Sequence, residues 1–228
     1  MPTISNRFIT LSTVIVLLLT ACNTNPTQSG DTAGNTNPSN TNTNAPQDTI
    51  TNGSVLNEQQ AKSIIELRAT EVLALLSQNN MAGLVRFVHP EKGVRFSPYS
   101  YVQPETDLVF TPQQIARFAV DSKVYTWGSF DGSGDPMQLT FKDYRKKFVT
   151  DKDYLTASDS IGYNKVLGTG NSLNNRTEVY PKAIIVEYYQ SGKHPDYGGM
   201  DWGSLALVFE KYKGEWLLVA VIHNSWTI

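Results

Sequence analysis

The chain has 228 residues, with 19 lysines and arginines against 21 aspartates and glutamates, and its only cysteine is Cys22. This near-balance of charge, without a long basic stripe, argues against a nucleic-acid partner. A lone cysteine excludes a disulfide within the chain, which is the usual staple of small secreted domains. The length is enough for a globular domain with a sizeable core of its own.

The first 21 residues have the parts of a secretory signal. Arg7 is the only charge before an apolar run over Phe8–Leu19, which is shorter than the roughly 20 residues of a membrane-spanning helix. The stretch Leu19-Thr20-Ala21-Cys22 resembles the lipobox of bacterial lipoproteins. That resemblance implies cleavage before Cys22, a lipid on its sulfur, and an extracytoplasmic location with the membrane as partner. An uncleaved N-terminal anchor is the alternative.

Residues 22–52 form a segment of low complexity. It repeats Asn-Thr-Asn-Pro at 23–26 and 35–38 and has almost no apolar residues. Such a composition cannot bury enough surface to offset the entropy lost on ordering the chain. We expect a disordered tether here, followed by a single globular domain over residues 53–228.

Capping residues and apolar spacing predict the helices. Asn57 and Gln60 have the spacing of a capping box, and Thr111-Pro112 supplies a cap and an N-terminal proline. Pro90 ends the second helix, because the residue before a proline disfavours helical geometry. The predicted helices cover about residues 58–78, 80–88, 112–120 and 140–149.

Apolar patterning predicts strands at about residues 94–101, 108–110, 123–130, 161–167, 183–190, 204–212 and 215–226. The last strand is apolar on both faces, with Leu217, Val219 and Val221 on one and Leu218, Ala220 and Ile222 on the other. A strand of this kind lies in a sheet that is covered on both sides. We expect an α+β fold in which N-terminal helices pack on a strongly curved, mainly antiparallel sheet.

This order of elements resembles the NTF2-like cone fold. The features that carry the likeness are the helix at 58–78, the short helix before His89-Pro90, and the strands over 204–226. Residues 131–175 fall outside the resemblance. The chain is also similar to uncharacterised bacterial lipoproteins that carry segments like those at 89–99 and 199–202. Neither likeness implies an activity, but a cone fold implies a sheet face that lines a pocket.

Motifs for a metal, a cofactor or a covalent nucleophile are missing from the sequence. His89, His194 and His223 do not have the spacing of a zinc site. The run 131–135 begins like a calcium loop, but Pro136 follows it directly, so a simple turn explains it better. No G-x-S-x-G elbow, phosphate loop or dinucleotide fingerprint is present. We expect neither a metal nor a cofactor.

Acid–base chemistry depends on two candidate catalytic residues. Strand alternation places His223 on the face of Val219 and Val221, and it places Glu187 among apolar neighbours. A polar group on an apolar face needs a partner. The two residues could act as bases if that face lines a pocket. The interpretation that we favour is a structural pairing of each, with Arg95 or with a tyrosine.

Binding is predicted at aromatic residues in loops. Tyr99, Tyr101, Tyr197 and Trp202 lie in or near Gly/Pro-rich loops, where exposed rings stack on sugars or peptides. Arg95 is a further binding candidate. The sequence therefore favours a lipid-anchored binding module for an unknown cell-wall or small-molecule ligand. The alternatives are an enzyme that uses the acid–base pair, which is less favoured, and a binder of wall glycans.

Overall fold

A computed structural model describes residues 56–227. The predicted signal segment, the tether and Cys22 lie outside the described residues, so the lipid anchor stays a prediction. The helices are α1 (Glu58–Ser77), α2 (Met81–Leu84), α3 (Pro112–Ile115), α4 (Phe141–Phe148) and α5 (Arg176–Val179). The strands are β1 (Val94–Ser97), β2 (Leu108–Phe110), β3 (Val124–Ser129), β4 (Pro136–Thr140), β5 (Ser160–Tyr163), β6 (Ile184–Gln190), β7 (Gly203–Tyr212) and β8 (Glu215–Ser225). Short 3₁₀ helices lie at Val85–Phe87 and Pro195–Tyr197.

Helix α1 begins as the capping signal predicted. The Asn57 side chain accepts the backbone N–H of Gln60 at 2.9 Å, and the Gln60 side chain accepts that of Asn57 at 3.0 Å. Arg145 of α4 closes the other end of α1, donating to the carbonyls of Leu76 and Ser77. The face that α1 turns toward β5 and β6 is apolar and buried, and includes Ala61, Ile65, Ala69, Val72 and Leu73.

Six strands form one mixed sheet in the order β2-β1-β8-β7-β6-β5, and β3 pairs with β4 in a separate hairpin. All neighbours in the large sheet are antiparallel except β1 and β8, which are parallel. The predicted α+β class is confirmed. The strong curvature and the cone shape are not established by these observations and stay predictions.

A β-bulge changes the facing of residues along β8. Val208 is opposite Ala220 while Phe209 is opposite Leu218, so Val219 is the extra residue. One extra residue reverses the alternation beyond it. Leu218 and Val221 therefore belong to one core cluster, and Val219 and Ala220 belong to the other. The predicted strict alternation was wrong here: His223 shares its face with Val221 and not with Val219.

The sheet is buried on both faces, as the apolar pattern of β8 predicted. On the first face α1, α2, α3, α4 and the β3–β4 hairpin enclose the larger core, which includes the aromatic rings of Phe96, Phe118, Trp127, Phe141 and Tyr144. The second face carries a smaller core that includes Ile185, Val208 and Ala220. Val102 and Tyr180, from segments outside the strands, cover that smaller core.

Three local predictions need correction. Strand β4 was missed, since Pro136 suggested a turn, but the proline occupies the first position of the strand. Helix α3 ends at Ile115 and gives way to successive turns, short of the predicted residue 120. Strand β5 ends at Tyr163 because Asn164, with φ of 53°, turns away and bonds the backbone of Leu56 and Ile185. The short helix α5 was also not predicted.

Candidate functional site

A pocket of about 440 Å³ opens at one end of the large sheet. Its walls include five aromatic residues, namely Tyr99, Phe130, Phe148, Trp202 and Trp226. Its charged or titratable residues are Asp131, Lys147, Asp151, Lys152, Asp201 and His223. The pocket therefore combines apolar rings with a few polar groups of both signs, the usual make-up of a small-molecule site.

Five parts of the chain line this pocket, and two of them supply only Tyr99 and the pair at 201 and 202. Strand β8 supplies His223 and Ser225, which share a face because side chains alternate along a strand. The end of α4 and the turn after it supply the residues at 147, 148, 151 and 152. The turn between β3 and β4, which the sequence analysis weighed as a calcium loop, supplies Phe130 and Asp131.

His223 lies at the buried floor of the pocket, with 4% of its surface exposed. Its Nδ1 is 3.0 Å from the carbonyl oxygen of Pro98, and its Nε2 is 3.3 Å from Oδ2 of Asp151. A carbonyl only accepts, so Nδ1 carries a hydrogen. The other ring nitrogen, Nε2, contacts the carboxylate group of Asp151. Both ring nitrogens are engaged, which leaves His223 without a free nitrogen for a substrate.

Asp151 has a second partner in Tyr154, whose hydroxyl donates to the same Oδ2 at 3.2 Å. Burial, together with the negative charge of Asp151, raises the pKa of Tyr154 far above its usual range. This hydroxyl therefore keeps its proton at any physiological pH. The group of His223, Asp151 and Tyr154 is a fixed hydrogen-bonded floor.

Glu187 lies on the second face of the sheet and is not brought together with His223. It is opposite Ala206, while His223 is opposite Leu205 on the other side. Its carboxylate, with no exposed surface, is 2.6 Å from the guanidinium of Arg176. It also accepts the backbone N–H groups at residues 167 and 168, both at 3.0 Å, and the hydroxyl of Ser204 at 2.7 Å. Glu187 is thus a structural anchor paired with Arg176, a partner that the sequence analysis did not name.

Arg95 has a structural role as well. Its Nε donates to the Tyr180 hydroxyl at 3.1 Å, and its Nη1 donates to the carbonyls at residues 103, 104 and 107. Burial raises the pKa of Tyr180. Arg95 does not line the pocket. Arg95 contacts neither His223 nor Glu187, which take other partners instead of the predicted pairing with Arg95 or with a tyrosine.

The four predicted binding rings separate into two groups. Tyr99 and Trp202 line the pocket, whereas Tyr101 and Tyr197 are exposed elsewhere, Tyr197 stacked on His194. The Tyr99 hydroxyl accepts the backbone N–H of Asp131 at 2.8 Å, and burial raises the pKa of Tyr99. Two of the four candidates therefore belong to the site.

Trp202 is not the exposed ring that the sequence analysis expected. It is 6% exposed and packs near Tyr189, with ring centroids 5.9 Å apart, and against Gly168 and Gly170. Trp226 is the exposed tryptophan of the pocket, at 40%. Only a weak signal in the sequence pointed to Trp226, because it ends the predicted strand at 215–226, whose faces had been assigned without the bulge.

Asp201 is oriented by backbone donors. Its Oδ2 accepts the N–H groups of Lys193 and His194, at 2.9 and 3.1 Å. The bond from Lys193 is the main reason why the pKa of Asp201 lies below its usual value. Its Oδ1 is buried beside Gly192. Asp201 therefore stabilises the loop before β7 from within the pocket wall.

Over residues 56–227, no three side chains of His, Cys, Asp or Glu type come together in a way that could hold a metal ion. None of the helices described here is long and apolar enough to cross a bilayer.

Comparison with known proteins shows only a loose likeness of fold. No protein-family model matches the chain, and no curated protein sequence matches it. A designed NTF2 protein is similar at 14% identity and a TM-score of 0.29, over 70% of this chain and 96% of the design. A structure described as a calcium/calmodulin-dependent protein kinase II association domain from Xanthomonas campestris is 13% identical, with a TM-score of 0.29, over 72% of this chain and 85% of that one. At this TM-score neither likeness carries an argument about function.

Proposed function

We propose that the protein is a lipid-anchored extracytoplasmic binding module whose pocket receives a small polar ligand. The observation that carries this proposal is the pocket itself, where an exposed tryptophan stands beside charged groups of both signs. Its volume of about 440 Å³ suits a ligand of one or two sugar rings or a short peptide. The lipobox-like stretch that ends at Cys22 supports an extracytoplasmic location, where a cell-wall fragment is a ligand of suitable size and polarity.

An enzyme that uses His223 and Glu187 is the weaker alternative. The two residues face opposite sides of the sheet, and each is fully engaged with partners of its own. A general base needs a free lone pair within reach of the substrate. Neither residue offers one in this arrangement, so binding without chemistry accounts better for the site.

We also propose the NTF2-like cone as the finer description of the fold. An N-terminal helix that packs along β5 and β6 supports it, as does a pocket at one end of the large sheet. Residues 164–176, which we call the strap, are held on the opposite face through Glu187. Most of the strap belongs to residues 131–175, which the cone resemblance left unexplained.

Titration of the protein with soluble muropeptides, followed by calorimetry, tests the binding proposal. Trp226→Ala should weaken binding about tenfold or more, because a stacking ring in a pocket contributes on the order of 1–3 kcal/mol. Tyr101→Ala is the matched control, since that ring is exposed but lies outside the pocket. Absence of muropeptide binding, or equal losses in the two variants, would contradict the proposal.

The anchor has its own test. Mass spectrometry of protein purified from the native host should find a mature chain that begins at Cys22 and carries a lipid on its sulfur. A chain that still bears Met1, or an unmodified thiol at Cys22, would contradict the predicted anchor while leaving the pocket proposal intact.

A further inference from the structure

We infer that the ligand of this pocket is a sugar that carries a carboxylate, received by Lys147 and Lys152. This inference rests on the proposed binding function and specifies its ligand. The charged groups of the pocket differ in whether the protein itself already supplies their partners.

The acidic groups of the pocket are mostly engaged by the protein. Asp151 accepts from Tyr154 and contacts His223, and Asp201 accepts two backbone N–H groups with one oxygen while the other is buried. Asp131 is the exception, and it stands exposed on the β3–β4 turn. The carboxylates of the floor and the inner wall therefore offer little to a ligand.

The two lysines are different. Within residues 56–227, neither Lys147 nor Lys152 has a carboxylate within the 4.0 Å of an ion pair. The ammonium of Lys147 is held over two pocket rings, 5.5 Å from the centroid of Phe130 and 5.7 Å from that of Phe148. Cation–π contacts hold an ammonium in place without neutralising its charge. Lys147 therefore presents an unneutralised positive charge at the pocket wall.

Lys152 is positioned by its stem. A Cβ at Gly203 would lie 2.7 Å from Cε of Lys152, which shows that the lysine stem passes directly over the backbone of that glycine. Lys152 is only partly exposed, and its charge contributes to lowering the pKa of the carboxyl of Asp201 nearby. Gly203, at the start of β7, has no side chain and so leaves the space that the stem of Lys152 occupies.

The chemistry of the ligand follows from these free groups. Two ammonium groups that lack a carboxylate partner favour a ligand that brings an anion, and a carboxylate gains strength from charge-assisted hydrogen bonds. The exposed ring of Trp226 offers the flat apolar surface on which a sugar ring stacks. A sugar acid satisfies both requirements with one small molecule.

N-acetylmuramic acid and N-acetylglucosamine make a matched pair of probes, because they differ by one lactyl group that bears a carboxylate. Calorimetric titration of the full chain should show N-acetylmuramic acid binding at least tenfold more tightly. Lys147→Gln and Lys152→Gln should each weaken that binding about tenfold and change N-acetylglucosamine binding less than twofold. Raising the salt concentration should weaken binding of the acid alone.

Lys146→Gln is the control variant, since Lys146 is an exposed neighbour on α4 that does not line the pocket. Its affinity for both sugars should equal that of the wild type. Equal affinity for the two sugars, or glutamine variants that bind the acid as the wild type does, would overturn the inference and leave the binding proposal standing if Trp226→Ala still weakens binding. If neither sugar and no muropeptide binds, the inference about the sugar acid and the binding proposal are both overturned.

Discussion

On each face of the large sheet a carboxylate lies against a nitrogen-bearing side chain, and the two pairs differ in what surrounds them. Glu187 and Arg176 are 2.6 Å apart, with 0% and 4% of their side chains exposed. Asp151 and His223 are 3.3 Å apart, and 22% of the Asp151 side chain is exposed. The first pair is sealed under the strap, and the second forms the floor of an open pocket. The sealed pair therefore holds the strap on the sheet, whereas the open pair lies where a ligand can reach it.

The largest effect should follow from breaking the sealed pair. Glu187→Ala leaves the Arg176 guanidinium buried without its carboxylate, and removes the acceptor for two backbone N–H groups of the strap. Loss of one partner from a buried pair costs about 3–5 kcal/mol. Urea unfolding should show a loss of this size in the free energy of unfolding.

A surface pair supplies the control for that measurement. Arg86 and Glu71 form an exposed ion pair, so Glu71→Gln should cost less than about 1 kcal/mol. Similar losses for Glu187→Ala and Glu71→Gln would mean that the buried pair does not anchor the strap.

Breaking the open pair should lower the free energy of unfolding by less than breaking the sealed pair. His223→Asn removes the contacts to Pro98 and Asp151, but water in the pocket can solvate the partly exposed carboxylate of Asp151. We expect a loss of about 1–3 kcal/mol in the same unfolding experiment. A loss larger than that of Glu187→Ala would reverse the comparison between the two faces.

The fit of the strap against Trp202 can be tested at Gly168. A Cβ there would lie 2.5 Å from Cζ3 of Trp202 and 2.8 Å from Oγ of Ser204, and both neighbours are buried. Such overpacking costs about 1–3 kcal/mol. Gly168→Ala should lower the melting temperature and change tryptophan fluorescence. Gly170→Ala, where the Cβ would lie 3.0 Å from Cζ2 of Trp202, should have a smaller effect on both.

The smallest effect concerns pH and a third histidine, His89, which lies apart from both pairs. Its Nδ1 accepts the N–H groups of Glu91 and Lys92, and its ring lies 4.8 Å from that of Tyr212. Burial, with a smaller contribution from Lys92, lowers the pKa of His89 below its ordinary value of 6.5. Glu210 and Glu91 oppose that shift only in part.

The sign of the resulting pH dependence is fixed by the lowered pKa. The unfolded chain takes up a proton at His89 more readily, so stability should fall as the pH falls below about 6.5. His89→Asn keeps an acceptor for the two N–H groups and cannot titrate. The free energy of unfolding, measured by denaturation between pH 5 and 7, should therefore change less with pH in this variant. An unchanged pH dependence would show that His89 does not contribute to it.

Short-range signals predicted much of the fold. The capping box of α1 and the apolar strands β6, β7 and β8 were all predictable, because their patterns are complete within about 20 residues. The tight turn at Lys213-Gly214 was also predictable, and both residues have positive φ, of 49° and 92°. The candidate site was predicted in part, through His223, Tyr99 and Trp202.

Local patterns were enough to predict the α+β class, the capped first helix and a sheet buried on both sides, because propensity and periodicity are local properties of the chain. The partner of each buried charge depends instead on contacts between distant parts of the chain. Pro98 and His223 are 125 positions apart, and no local pattern links them. The bulge at Val219 likewise reversed the facing of the residues that follow it, because register is set between strands. The pocket is lined by residues from widely separated parts of the chain, so its existence depends on these long-range contacts.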